Sequence, residues 1–413
     1  DQEALNLLLG QMIHGLEAIR DIRLSAFLDK QNAARDRPKS ALFWRSDITL
    51  RTVVANLEGL RTLFDESGLE IVSKAMAPRL ADTIRFEFGQ AIRTAASLDA
   101  PVSEDQALRE IKERLLELKA AGKLDRVRML LLTNCTFDGL VYNVERVMEE
   151  CLAIKPDLVF LWDEAWFAFA RFSPTYRQRT GMRTANNLRK RLRTEDHKRA
   201  YEAQQEALVD ASDETLIETR LIAPPEARIR VYATQSTHKT LTSLRQGSMI
   251  HVNDQDFKGE VEQSFHEAYM THTSTSPNYQ IIASLDVGRR QVELEGFEFV
   301  QRQIEAAMAM RKAVSSHPLL QKYFKVLTAG DMIPERYRQS GVTSYFDNEQ
   351  GWTDMWDCWE QDDFVLDATR VTLAVGGTGW DGDTFKTQIL MDKYGIQINK
   401  TSRNTVLFMT NIG

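Results

Sequence analysis

The residues best suited to chemistry are Ser236-Thr-His238-Lys239, which follow the strand-forming run Ile229 to Ala233. Ligands of open α/β sheets bind at strand ends. A hydroxyl and an imidazole there are candidate phosphate ligands, and an amine beside them is a Schiff-base former. The tetrapeptide alone is a weak signal, because a lysine at a strand end is most often simply solvated. A second feature strengthens it: Asp157-Leu-Val-Phe-Leu-Trp-Asp163 is a short apolar run closed by an acid, the pattern of a buried parallel strand with a carboxylate at its C-terminal end. A carboxylate so placed can keep a pyridine nitrogen protonated, which makes a bound aromatic coenzyme an electron sink. Ala165 is small enough to lie beneath a flat ring.

Four segments in order, Trp162-Asp-Glu-Ala-Trp166, Phe172-Ser-Pro174, Ser236 to Lys239 and Glu267-Ala-Tyr-Met-Thr-His272-Thr-Ser-Thr-Ser-Pro277, resemble the bacterial ornithine, lysine and arginine decarboxylases. The resemblance runs from about residue 106 to the last, taking in Leu132-Thr-Asn134-Cys-Thr-Phe-Asp138-Gly and Ile398-Asn-Lys400-Thr-Ser-Arg-Asn-Thr-Val-Leu-Phe. It implies a type I pyridoxal-enzyme fold and pyridoxal 5′-phosphate as cofactor. By that resemblance Lys239 is the covalent anchor, Asp163 pairs with the ring nitrogen, Ser236 and His238 hold the phosphate, and Ala165 and Trp166 border the ring. Thr273, Ser274, Thr275 and Ser276 are expected near the phosphate, including that of a partner subunit in a homodimer or higher homo-oligomer. The implied reaction is loss of the α-carboxylate of a basic amino acid as carbon dioxide.

Two departures accompany this resemblance. Neither the small-residue segment that cradles the cofactor phosphate nor the ring-stacking histidine can be matched; six of the seven histidines lie out of context and His238 has its own role. Between Asp163 and Lys239, Arg177 to Arg220 form a charged helical insert, closed by Pro224-Pro225. Its run Arg189-Lys-Arg-Leu-Arg193 reads as a solvated helix face or a subunit contact rather than a polyanion patch. Two readings therefore stand side by side: a decarboxylase with an incomplete site, or a non-catalytic fusion or truncated protein that keeps the fold.

The elements that position these residues occupy only part of the chain. Across the first hundred residues, apolar positions recur at three- and four-residue spacing from Ala4 to Leu28, Ile48 to Phe64 and Leu69 to Leu98, with breaks at Pro38 and Ser67-Gly68, which predicts a helical bundle. Arg37-Pro-Lys-Ser-Ala-Leu-Phe-Trp44-Arg-Ser, Asn56-Leu-Glu-Gly-Leu-Arg61 and Ser97-Leu-Asp-Ala-Pro101 resemble imelysin-like helical envelope proteins, some of them peptidases. That family's metal motif is not matched. His14 and Glu17, one helical turn apart, read as a solvated face, and no metal ligands are assigned.

Downstream, the pattern predicts a strand at Ser248 to Val252 and an amphipathic helix from Gly296 to Val314 with apolar positions at Phe297, Val300, Ile304, Ala307 and Met308. A strand from Leu366 to Val375, a plain turn at Gly376 to Gly379, a helix from Asp383 to Tyr394 and a strand at Thr405 to Met409 follow. Trp352, Trp356, Trp359 and Trp380 read as packing or subunit-contact residues. The expected organisation is α+α/β: a helical bundle segment over 1–104, a partial type I α/β/α domain over 105–320, and an α+β part over 321–413.

Composition narrows the function classes. The net charge of −7 argues against nucleic acid as a partner, and 43% hydrophobic content is ample for sizeable cores. Three cysteines without metal spacing point to reduced thiols and a cytoplasmic location. Neither a membrane-length apolar run nor a signal-peptide pattern is visible. A small-molecule amino acid is the expected substrate.

Overall fold

Apolar side chains three and four residues apart must gather on one side of a helix, and in the N-terminal segment they do. A computed structural model describes residues 2–25, 28, 49–77, 79–97, 107–349, 351–353, 355–398 and 400–412. The chain divides into two compact units, Asp1–Gln106 and Ala107–Gly413. Arg37 to Ser46, and the junction from 98 to 106, lie outside the described residues.

In the first unit, helices α1 (Gln2–Ala18), α2 (Thr49–Glu66), α3 (Leu69–Met76) and α4 (Leu80–Ser97) share a core. Met12, Ile19, Val53, Leu57, Phe64, Leu69, Ala81 and Phe88 fill it. Gly68 separates α2 from α3 in the left-handed region, at φ 78°, which glycine enters without a Cβ penalty. The continuous helix expected from Leu69 to Leu98 is instead two, because Ala77 turns extended at the end of α3. His14 and Glu17 meet at 3.3 Å in an exposed pair on α1. Among the described residues, no group of three or more His, Cys, Asp or Glu is disposed to hold a metal ion, and no helix is long and apolar enough to cross a membrane.

The second unit is built on a four-stranded sheet. Strands β1 (Met129–Thr133), β3 (Val159–Asp163), β4 (Arg230–Ser236) and β5 (Ser248–Asp254) lie in that order; β1, β3 and β4 run parallel and β5 antiparallel. Helices α5 (Ala107–Ala120), α6 (Val144–Ile154) and α7 (Gly181–Arg191) cover one face, where Leu116, Met148, Leu152, Leu188 and Leu192 pack on Phe160, Trp162, Val231 and Ala233. Asn143 caps α6 by accepting a bond from Arg146 N at 3.1 Å, and Thr180 caps α7. The insert thus differs from the expected solvated face. Leu188 and Leu192 are core residues, Arg191 bridges Glu145 and Glu149 at 3.0 and 2.9 Å, and Arg179, fully buried, donates to the carbonyls of Trp359 and Asp362 at 2.8 and 2.7 Å. Helices α8 (Glu195–Ala207) and α9 (Asp213–Glu218) complete it.

Beyond β5 come α10 (Glu262–His272) and α11 (Tyr279–Ser316). α11 begins well before the expected Gly296, because Asn278 caps it, accepting from Gln280 N and Ile281 N at 3.0 and 3.2 Å. Its buried stripe is Gly288, Gly296, Val300, Gln303, Ala307 and Arg311. Phe297, expected on that stripe, is 59% exposed: Gly296 takes the inward position, where a Cβ would come within 2.7 Å of Phe172, and the next residue is rotated by about 100°.

The C-terminal part adds a hairpin, a two-stranded pair and a second sheet. The hairpin joins β7 (Phe346–Asp347) to β8 (Gly351–Trp352), and β2 (Leu140–Tyr142) pairs with β9 (Phe364–Leu366). The second sheet has order β11 (Lys400–Thr401), β12 (Thr405–Met409), β10 (Arg370–Ala374), β6 (Lys325–Val326), all antiparallel. The single strand expected from Leu366 to Val375 is therefore two strands in different sheets. Asp367 makes the break, its carboxylate accepting from Thr369 N and Oγ1 at 2.9 and 2.7 Å. The Gly376 to Gly379 turn, the helical stretch to Tyr394 and the Thr405 strand fall where expected. Of the four tryptophans, Trp359 is buried in a core with Tyr176 and Phe169; the other three are exposed.

Candidate functional site

Because β1, β3 and β4 are parallel, the loops leaving their C-terminal ends share one edge of the sheet, and each delivers a residue to the same cluster. Phe137 follows β1, Trp166 follows β3 and Lys239 follows β4. The Phe137 and Trp166 rings meet edge to face with centroids 5.3 Å apart, and Lys239 Nζ lies 5.0 Å from the Trp166 ring centroid, within the range of cation–π attraction. Among the described residues no carboxylate forms an ion pair with this amine.

Asp163 ends β3. Its Oδ1 accepts a bond from Ala165 N at 3.0 Å, which fixes the carboxylate and turns the chain toward Trp166. Asp163 pairs with Thr234 in the β3–β4 register, so Asp163, Thr234 and Ser236 share a face of the sheet. Ser236 is 9% exposed. His238 Nδ1 lies 3.1 Å from Gly247 O, which leaves Nε2 for a ligand. The Lys239 loop is stapled by Thr237 N to Gly247 O and Ser243 N to Thr237 O, and tied to α11 by Leu244 N donating to Ser284 Oγ at 3.1 Å. Thr273, Ser274, Thr275 and Ser276 are exposed between α10 and α11 with local hydrogen bonds, among them Thr273 Oγ1 to Tyr269 O. The structure does not bring them to Lys239.

Three features of the site carry residues to which the sequence assigned no role. The first is Arg370 on β10, buried behind the cluster. Its guanidinium lies 5.5 Å from the Trp166 ring and 5.9 Å from that of Phe137, donates to Trp166 O at 3.2 Å and Phe137 O at 3.3 Å, and pairs with buried Asp367 at 3.3 Å. Gly139, at φ 94°, makes room for it; a Cβ there would sit 2.7 Å from Arg370 Cγ. Arg370→Met should destabilise the chain by about 3–5 kcal/mol, the cost of leaving a buried partner uncompensated. Urea denaturation at neutral pH reads this directly.

The second is Lys400, paired with Asp138 at 2.7 Å and 5.9 Å from the Phe137 ring. The third is a buried polar chain on the opposite face from Asp163. Glu164 accepts from Gly181 N at 2.6 Å and from Gln235 Nε2 at 2.7 Å, and Gln235 Oε1 lies 3.0 Å from His251 Nε2, so that His251 nitrogen carries the proton. Burial pushes the Glu164 carboxyl up to about 7, with the Gly181 and Gln235 donors opposing and Asp163 adding to the rise. A carboxyl raised in the folded state leaves stability intact below its ordinary range, and that stability is lost as pH climbs from about 4.5 to about 7. The loss is about 3 kcal/mol at 1.36 kcal/mol per pH unit. Glu164→Gln should remove it, since the Gln235 amide can turn over to accept from the new side chain. Denaturation midpoints of the two proteins should converge near pH 4.5 and diverge by pH 7.5, with the variant the more stable.

These features define an α/β protein with an amine and a carboxylate at one sheet end. The family model for Orn/Lys/Arg decarboxylase, major domain, matches residues 92–223 and 217–413. The chain belongs to that family. The imelysin model matches residues 1–128. Lysine decarboxylase LdcA of Pseudomonas aeruginosa is 32% identical over 198 residues, covering 48% of this chain and 21% of the relative. The inducible lysine decarboxylase of Escherichia coli K12 is 28% identical, covering 68% and 33%, and the biodegradative arginine decarboxylase of the same strain is 26% identical, covering 74% and 38%. The chain thus spans well under half the length of these three relatives. Among solved structures, lysine decarboxylase A from Pseudomonas aeruginosa aligns with a TM-score of 0.46 and 26% identity over 72% of this chain and 37% of that one.

The donor set is compatible with pyridoxal 5′-phosphate at two of its three ends. An amine free of carboxylate partners suits covalent attachment, and a carboxylate fixed by its own loop suits a pyridinium. For the phosphate, Ser236 and His238 are the candidate ligands that the described residues offer.

Proposed function

We propose that the chain carries the lysine half of a pyridoxal 5′-phosphate site for decarboxylation of a basic amino acid: ornithine, lysine or arginine. The observation that carries this reading is the meeting of Lys239 with Trp166, three residues from Asp163, in a member of this family. When bound, the cofactor supplies an electron sink for the pair left behind as carbon dioxide departs. Lys239 would be the residue that holds the cofactor covalently, through its amine. Asp163 would hold a proton at the ring nitrogen, Ser236 and His238 would bind the phosphate, and Ala165 and Trp166 would border the ring. Arg370 positions Trp166 through its carbonyl. Thr273 to Ser276, exposed as they are, are assigned to the phosphate of a partner subunit in a homodimer. A cytosolic setting is consistent with Cys135, Cys151 and Cys358, all buried as free thiols; burial pushes the Cys358 thiol up to about 12.

The test is carbon dioxide release from each of the three amino acids by the full chain saturated with cofactor. Release from at least one, dependent on added cofactor, is the expected result. Cofactor bound at Lys239 without release from any would leave the chain a binding relative without lyase activity.

A further inference from the structure

Beside the Lys239 loop lies a cavity of about 380 Å³, within the roughly 300–1,000 Å³ of small-molecule sites. Ser236 and Gln235, being successive strand residues, point to opposite faces of the sheet; Gln235 and His251 border this cavity, and none of the residues assigned to the cofactor does. Its walls are apolar, supplied by Phe172, Leu241, Met249, Leu285 and Val292.

Two hydroxyls of its lining lack partners. Thr237 is 6% exposed, yet its hydroxyl has no hydrogen-bond partner, and the hydroxyl of Thr242, also in the lining, is likewise buried and unpartnered. A buried hydroxyl left without a bond costs about 1–3 kcal/mol. A Cβ on Gly247 would sit 2.5 Å from Thr237 Oγ1 and 2.7 Å from Leu285. The charged residues in its lining are Arg171 and Arg289. Arg171 is exposed beside it, Arg289 is held by Asp286 and Glu293, and no carboxylate lines it. An ammonium group would find no carboxylate in the lining itself, so the basic amino acids proposed as substrates, and their diamine products, are poor occupants.

We propose that this cavity is a binding site for a short aliphatic monocarboxylate, its chain on the apolar walls and its carboxylate within reach of hydroxyl and guanidinium donors. The site is independent of the cofactor assignment. Titration calorimetry of the full chain with hexanoate, hexylamine and hexan-1-ol tests it. Hexanoate should bind saturably, at least about tenfold more tightly than hexylamine, with hexan-1-ol between them. Thr237→Val, which keeps the shape and removes the hydroxyl, should weaken hexanoate at least about tenfold, the value of a hydrogen bond to a charged group. Arg171→Gln, at an exposed position that leaves the core untouched, should weaken hexanoate while sparing hexan-1-ol. Hexylamine binding as well as hexanoate, absence of saturable hexanoate binding, or hexanoate affinity unchanged in both variants would overturn the proposal.

Discussion

Lys239→Ala is expected to abolish cofactor-dependent decarboxylation, with a loss of at least roughly 10³-fold, because a group that forms a covalent bond has no substitute nearby. The fold should survive. Lys239 Nζ sits over the Trp166 ring, and an exposed or half-exposed cation–π contact is worth only about 0.5–1 kcal/mol. The loop itself is held by backbone bonds from Thr237 and Ser243 and by the Ser284 hydroxyl, none of which needs the lysine side chain. Unchanged urea denaturation together with lost activity is the outcome that separates chemistry from structure. Retention of activity within about tenfold of the parent, equivalent to 1.4 kcal/mol of barrier, would remove Lys239 from its assigned role.

The second large effect belongs to Asp163→Asn. The amide oxygen can still accept the bond from Ala165 N, now 3.0 Å from Oδ1, so the turn into Trp166 persists and Lys239 stays in place. What is lost, on the proposed reading, is the negative charge that would keep a ring nitrogen protonated. Covalent capture of the cofactor should therefore survive while decarboxylation falls by about 10²–10⁴-fold, the range for removing a positioned acid or base. An equal loss of capture and rate would mean that Asp163 acts by shaping the loop instead.

Much of the framework was legible from local pattern. Val159 to Asp163 and Arg230 to Ser236 announce themselves as apolar strands with chemical residues at their ends, and the parallel sheet puts those ends side by side. The helices of the first unit follow from spacing, apart from the break at Ala77. What escaped was whatever depends on distant segments meeting. Arg370 reaches the carbonyl of Phe137 across 233 residues; in sequence it is one charge in an apolar run, and nothing local tells whether it faces water or a buried aspartate. Glu164, Gln235 and His251 are joined only because β3, β4 and β5 are neighbours. The break at Asp367 was missed because an aspartate bonding to its own downstream backbone competes with strand extension without altering the hydrophobic pattern. Phe297 was misplaced because a glycine, which carries no hydrophobic signal, takes the inward position beside it.

The central claim is that the amine of Lys239 and the carboxylate of Asp163 serve one aromatic coenzyme at the end of the β3–β4 pair. Incubating the full chain with pyridoxal 5′-phosphate, reducing with borohydride and mapping the label by peptide mass spectrometry tests this most directly. A label confined to the peptide containing Lys239, present in Asp163→Asn and absent from Lys239→Ala, is the predicted result. A label spread over surface lysines, or none at Lys239, would contradict it.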